Sequence, residues 1–402
     1  MRHILVGGLL LAAAAAAADW PQWRGPKRDG ISAETGLLQS WPAGGPRLLW
    51  KTTGLGEGYS SFAVAKGRLY TQGQRGNQQF VLAFDASSGK KVWEAATGSP
   101  FRERRGHGPR GSPTVDGDRL YALAADGTLV CLEAATGKKI WGYNVVEKFG
   151  GQVIHWGISE SPLVDGDRVI VMAGGSGAGV VALDKTSGNL IWKSQSDEPG
   201  YSSAIVFDLG GVRQIATFTG EAAVGLAARN GELLWRYPKV SNQTANIATP
   251  IYHDGHLFVS SDYGTGCALL KLGAQGGGAK TSEVYFSREM RNHYSTSVLV
   301  GEYLYGFSSA VLTAMKFSDG EVAWKDRSVG KGGVIYADRH LYCMGETGVV
   351  GLVEATPAGY KEKSRFDIPR GEFPTWTPPA ISDGKLYLRE QDNLYCYDIK
   401  AK

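Results

Sequence analysis

Five times in this chain a tryptophan follows a glycine by four residues: Gly89 and Trp93, Gly137 and Trp141, Gly188 and Trp192, Gly231 and Trp235, Gly320 and Trp324. The clearest copies share a phrase, as in Asp85-Ala86-Ser87-Ser88-Gly89-Lys90-Lys91-Val92-Trp93. Glycine supplies the positive φ that a tight hairpin turn requires. The residues after it read as a short strand ending on the largest apolar side chain. Trp50 ends another such strand, and Tyr285 and Phe366 take the same slot in weaker copies. Successive slots lie 43, 48, 51, 43, 50, 39 and 42 residues apart. Self-similarity at that period restricts the fold to repeat architectures.

A second phrase precedes each copy: a strand start, then Asp-Gly and an aromatic strand. Ser112-Pro113-Thr114-Val115-Asp116-Gly117 and Ser161-Pro162-Leu163-Val164-Asp165-Gly166 are the clearest cases. Each unit therefore holds four short strands, which is a propeller blade. One blade cannot bury both its faces, whereas eight in a ring can, with the slot residue wedged between neighbours. The expected fold is all-β, a single eight-bladed propeller over residues 47–402, preceded by a segment over 19–46 lying outside the blades. The last unit lacks a fourth strand and the first Trp phrase, around Trp50, has no blade before it. The N-terminal strand is expected to close the ring and remove the open edge. Trp20, Trp23 and Trp41 in the segment read as packing groups.

The acidic-x-x-Thr-Gly-x-x-x-Trp phrase resembles the repeat of quinoprotein-like eight-bladed propellers. That family includes pyrroloquinoline quinone-dependent alcohol dehydrogenases and the propeller lipoprotein of the outer-membrane barrel assembly machinery. Asp19-Trp20-Pro21-Gln22-Trp23-Arg24-Gly25-Pro26 and Trp156-Gly157-Ile158-Ser159-Glu160-Ser161-Pro162 resemble a secreted bacterial branch of it. The resemblance covers the whole chain after residue 18 and is specific for fold more than for activity. It implies, for a dehydrogenase, a quinone clamped between a Trp and a disulfide of adjacent cysteines, with Ca²⁺ on Glu and Asn beside an Asp base. Trp156 or Trp376, Glu160 and Asn246 are the residues available for those roles. Adjacent cysteines and an Asp just ahead of an inner strand are absent from the sequence.

Residues 1–18 read as a secretory signal, with Arg2 and His3 ahead of an apolar run and Ala16-Ala17-Ala18 at its end; cleavage is expected before Asp19. The mature protein is then soluble and periplasmic or secreted, and no later apolar run is long enough to span a membrane. Net charge is +4 with both signs dispersed, which is no nucleic-acid signature. Cys131, Cys267, Cys343 and Cys396 each fall inside an expected strand and read as buried free thiols. The Gly-rich stretch 173–179 joins two strands and reads as a hairpin, not a phosphate loop. Residues 273–280 read as a flexible insertion in blade five.

Every blade is approached from one face of the ring, just before its inner strand, so residues in those leading loops converge on one funnel. They are Glu57, Tyr59, His107, Arg110, His155, Trp156, Glu160, Tyr201, Asn246, Asn292, His293, Tyr294, Lys331 and Trp376. The long loops 98–111 and 146–160 belong to this face, where function tends to sit. Arg110, Lys331 and Arg291 make its mouth positive, more so as His107, His155 and His293 protonate near their usual pKa of about 6.5. Flat aromatic faces beside converging charge form the default ligand site. A metal site from His107, His155, His293 and Glu160 has suitable residue types but no supporting short spacing. The expected function is a monomeric, non-catalytic binding propeller. It would hold a protein partner or an anionic or polyhydroxylated small ligand, without a cofactor. The competing function is a pyrroloquinoline quinone- and Ca²⁺-dependent dehydrogenase of alcohols or sugars.

Overall fold

The computed structural model describes residues 19–273 and 281–401. The secretory-signal reading, the cleavage before Asp19 and all of the blade-five insertion beyond Gly273 lie outside the described residues. The chain forms eight separate four-stranded antiparallel sheets. Seven are built from consecutive strands, the first from Ala63–Ala65 through Lys91–Ala96. The eighth joins Ala380–Ser382, Lys385–Glu390 and Asn393–Asp398 to the N-terminal strand Arg47–Thr52 as its outer strand. Trp50 pairs with Cys396 and packs on Tyr387 at 6.0 Å. The ring is closed as expected, and an exposed Arg47–Asp398 ion pair at 2.7 Å lies at the end of the seam.

The Gly-x-x-x-Trp repeat has a single physical explanation. The indole of one blade lies on the turn glycine of the next. A methyl group added at Gly137 would stand 2.5 Å from the Trp93 ring, and one at Gly231 would stand 2.5 Å from Trp192. Both glycines also have φ near +75°, so the residue is required twice, for the turn and for the seat. Each indole N–H then crosses to the neighbouring blade: Trp93 to the Ala134 carbonyl, Trp141 to Lys185 and Trp192 to Ala228, all at 3.1 Å. Trp235 differs. The following blade offers no such phrase, and its indole donates to Gln214 of its own blade at 3.1 Å.

The outer strand of every blade carries a register shift at this point. The residue before the Trp is left unpaired and faces outward, as Val92, Ile140 and Ile191 do. The bulge increases local twist and aims the Trp into the gap between blades. The same register corrects one assignment. In blade seven the shift places Ser364, not Phe366, in the slot. Trp41 from the N-terminal segment occupies the vacant space. Its backbone N–H donates to Ser364 Oγ at 2.7 Å, and its ring lies 5.9 Å from Tyr342 and 5.3 Å from Phe366. Trp93, Trp141 and Trp324 meet Tyr70, Tyr121 and Tyr305 in the same way.

The four cysteines are buried, unpaired and in four different blades. The Gly-rich stretch of blade three is a hairpin between Arg168–Gly175 and Ala178–Asp184. Among the described residues no helix is long and apolar enough to cross a membrane.

Candidate functional site

The N-terminal segment decides the shape of the central channel. From Trp20 to Glu34 it bonds residues in or beside the inner strands of seven of the eight blades. Trp20 exchanges both backbone bonds with Val64 of blade one, and the Val115 N–H of blade two donates to the Pro21 carbonyl at 2.8 Å. Arg28 donates to the Ser161 and Pro162 carbonyls of blade three. Trp23 Nε1 donates to Thr249 Oγ1 at 3.0 Å, and Arg24 to the carbonyls of Thr296 and Ser297. Ser32 bonds the Tyr336 carbonyl of blade seven, and Glu34 accepts from the Asp383 and Gly384 N–H groups of blade eight. A short irregular segment can cross a polar channel because the two arginines satisfy carbonyls that the blades leave free.

Next to this crossing lies a cavity of about 370 Å³. Tyr59, Arg110, Trp156, Tyr201, His293, Tyr294, Lys331 and Trp376 line it, so eight residues from seven leading loops do meet. Trp23, Arg105, Ser159, Ser203, Thr244, Ile247, Tyr263 and Pro378 complete the wall. The rings form a near-continuous belt. Trp376 lies 5.1 Å from Tyr59 and 5.7 Å from Tyr294, and Trp156 lies 5.6 Å from Tyr201. Arg110 sits over Tyr59 at 5.4 Å and Phe101 at 5.2 Å, a cation–π arrangement that needs desolvation to be strong.

Six of the sequence-derived residues do not line the cavity. Glu57 forms a backbone bridge with Gln74. His107 accepts the Glu103 N–H on Nδ1 at 3.1 Å, and exposed His155 stands edge-on to Trp156 at 4.9 Å. Asn246 is buried and spends its amide on the Thr219 and Gly220 carbonyls. Asn292 is buried and donates to the Phe307 carbonyl. Glu160 is buried, with one oxygen accepting the Met172 N–H. Among the described residues, no three His, Cys, Asp or Glu side chains are grouped as metal ligands, so the three-histidine arrangement does not form.

The cavity wall is cationic without a carboxylate of its own: Arg105, Arg110 and Lys331 face it. Burial lowers Arg110 to about 10, which leaves it charged at neutral pH, and burial also lowers Lys331. His293 does not add to this as expected. Burial, and then the charge of Lys331, press His293 down to about 4, so its imidazole is neutral. Burial raises Glu160 to about 8, against the Met172 N–H and the nearby Arg28 charge. A carboxyl with a raised folded pKa stabilises the fold when protonated and loses that contribution as pH climbs through the folded value. Glu160→Gln should therefore gain stability relative to the parent in melts run from pH 5 to pH 9.

A family model described as outer membrane protein assembly factor BamB, of the PQQ_2 type, matches residues 77–326, more than half of the chain. The chain belongs to this family. It is 24% identical over 231 residues to the BamB of Shewanella oneidensis, covering 57% of this chain and 55% of that one. It is 31% identical over 126 residues to the quinohemoprotein alcohol dehydrogenase ADH IIB of Pseudomonas putida, covering 28% of this chain and 17% of that one. The chain thus spans at most about half the length of these relatives. The crystal structure of BamB from Moraxella catarrhalis superposes with a TM-score of 0.64 at 15% identity, covering 88% of this chain and 99% of that one. That likeness is one of fold.

A quinone with Ca²⁺ does not fit this cavity. Ca²⁺ takes six to eight oxygen ligands, carboxylates foremost. Glu160 and Asn246, the two side chains available for that role, are turned into the protein and already bonded. An ion placed among the lining residues would face Arg105, Arg110 and Lys331. The cysteines, each in its own blade, cannot form the adjacent-pair disulfide.

Proposed function

We propose that this family member is an exported binding propeller that takes an anionic or polyhydroxylated small ligand in the cavity of the leading-loop face. A protein partner at the same face is the alternative occupant of this reading, and the protein carries out no reaction of its own. The observation that carries the reading is the wall itself: seven aromatic side chains and three cations around about 370 Å³, with no carboxylate among the lining residues. Cavities of that size hold small molecules, with a few polar groups fixing orientation. The kinship with an outer membrane protein assembly factor supports a scaffold that works through binding. The competing dehydrogenase reading draws on the match to the quinohemoprotein enzyme, and the mismatch of the donor set to Ca²⁺ weighs against it.

A thermal-shift screen of organic anions and sugars on the parent and on Arg110→Ala, Lys331→Ala and Trp156→Ala tests the site. A cavity ligand should stabilise the parent by several degrees and each variant less, with the effect of the two charge variants fading in high salt. A ligand that stabilises all four proteins equally binds elsewhere and removes the assignment. Dye reduction with pyrroloquinoline quinone, Ca²⁺ and an alcohol or sugar panel should stay at the protein-free level. Turnover above it would establish the dehydrogenase instead.

A further inference from the structure

Several of the cavity's neutral donors are already spent on the protein. Tyr59 donates its hydroxyl to the Arg105 carbonyl, and Tyr294 donates to the Lys331 carbonyl at 3.3 Å. The indole N–H groups of Trp23 and Trp376 are held by Thr249 and by the Glu346 carboxylate at 2.9 Å. Ring faces and two cations dominate what remains, beside the Tyr201 and Tyr263 hydroxyls and the Trp156 indole N–H. Among the described residues the side chains of Lys331 and Arg105 make no hydrogen bond or ion pair, and His293 Nδ1 is buried without a partner.

We propose that the cavity selects a flat aromatic carboxylate over a sugar, with the carboxylate facing Lys331 and Arg105 and a proton taken up at His293 as it enters. This rests on the cavity being the ligand site. A sugar would bury many hydroxyls against a wall that is mostly ring face, with few free donors and no carboxylate to accept from them, and unpaired buried hydroxyls cost affinity. An aromatic acid asks for stacking surface and one anion-binding corner, which the rings and the Lys331 and Arg105 cations supply.

His293 is surrounded from four sides. Lys331 precedes the inner strand of blade seven, Arg105 comes from the loop before blade two, and Asp262 and Tyr263 come from blade five. Tyr263 lies 5.2 Å from the imidazole, and Tyr294, next to it in the chain, 6.0 Å. Burial and then Lys331 oppose protonation, Asp262, held by Ser309 at 2.8 Å, favours it, and Arg105 adds the smallest opposition. A carboxylate arriving between the cations supplies the counterion that the imidazolium lacks. The free imidazole protonates near 4. In the complex it protonates at higher pH, so affinity rises as pH falls below the bound value, by at most about tenfold per pH unit for one linked proton.

Titration calorimetry on the full chain with 2-naphthoate, its neutral analogue 2-naphthalenemethanol and maltose tests this, between about pH 5.5 and pH 8, where the carboxylate stays ionised. The naphthoate should bind at least about tenfold tighter than the alcohol, the usual worth of a charge-assisted bond, with maltose undetected. Heats measured in buffers of different ionisation enthalpy should report proton uptake by the parent as pH falls, and His293→Gln should bind at pH 8 but lose both the uptake and the pH slope. Equal affinity for acid and alcohol, or no proton uptake by the parent, overturns the proposal. Maltose binding that Trp156→Ala abolishes keeps the cavity as the site and overturns only its anion preference. Failure of all three compounds to bind in a manner sensitive to Trp156→Ala removes the cavity reading itself.

Discussion

A variant lacking residues 19–52 should show no cooperative unfolding transition where the parent shows one. Three separate supports leave with that segment. The strand Arg47–Thr52 is the outer strand of blade eight, so its loss opens a sheet edge and uncovers the Trp50–Tyr387 contact. Trp41, 7% exposed, is the wedge that blade seven lacks at Ser364. Residues 20–34 bond residues in or flanking the inner strands of seven of the eight blades, and without them Arg24 and Arg28 no longer satisfy the carbonyls of blades three and six. Domains are stable by only about 5–15 kcal/mol, and an opened propeller that loses a strand, a core tryptophan and a crossing segment exceeds that reserve. Near-ultraviolet circular dichroism against temperature reads the result. A sharp transition near the parent's midpoint would mean that the ring stays closed without its seam.

The second large effect is expected at a single residue. Trp192→Ala should cost about 3–5 kcal/mol, as other large-to-small core changes do. Trp192 is 7% exposed, rests on Gly231, and bonds the Ala228 carbonyl of the next blade. Its removal leaves a cavity at a blade interface and an unpaired carbonyl together. Trp141→Ala should fall in the lower part of that range, because its indole is only half-buried. Urea unfolding at constant slope gives both values. Two variants that unfold at the parent's midpoint would show that the blades are held together by something other than the repeated tryptophan.

The blades were legible because the same geometric problem is solved many times, and each solution leaves the same two residues, glycine and tryptophan, at the same spacing. Ring closure was legible as a missing strand at one end and a surplus one at the other. What could not be read was anything solved once. Ser364 and Phe366 both stand near the expected distance in blade seven, and only the bulge tells them apart. Trp41 fills that gap from 323 residues away, with no periodic trace. At the site, loop position correctly brought Tyr59, Arg110, Trp156, Tyr201, His293, Tyr294, Lys331 and Trp376 to one cavity. It could not tell which way a side chain turns, and Glu160, Asn246 and Asn292 turn inward to serve the backbone. Trp23 escaped because a tryptophan in an irregular segment most often packs; its neighbours Trp20 and Trp41 do so, while it lines the cavity. The neutrality of His293 comes from burial first and then from Lys331, neither of which a local pattern predicts.

The seam between Arg47–Thr52 and Asn393–Asp398 also sets an order in time. Seven blades are runs of consecutive hairpins and can form as soon as their own residues are available. The first strand must wait, because all seven of those blades lie between it and its partner in the chain. For that interval it is an unpaired apolar edge, Leu48-Leu49-Trp50, of the kind that recruits strands from other molecules. Arg47 and Lys51 bracket those three residues, and charges flanking an unavoidable apolar strand discourage such pairing. The closing strand thus carries its own guards for the period before closure, and after closure Arg47 finds Asp398 at the end of the seam.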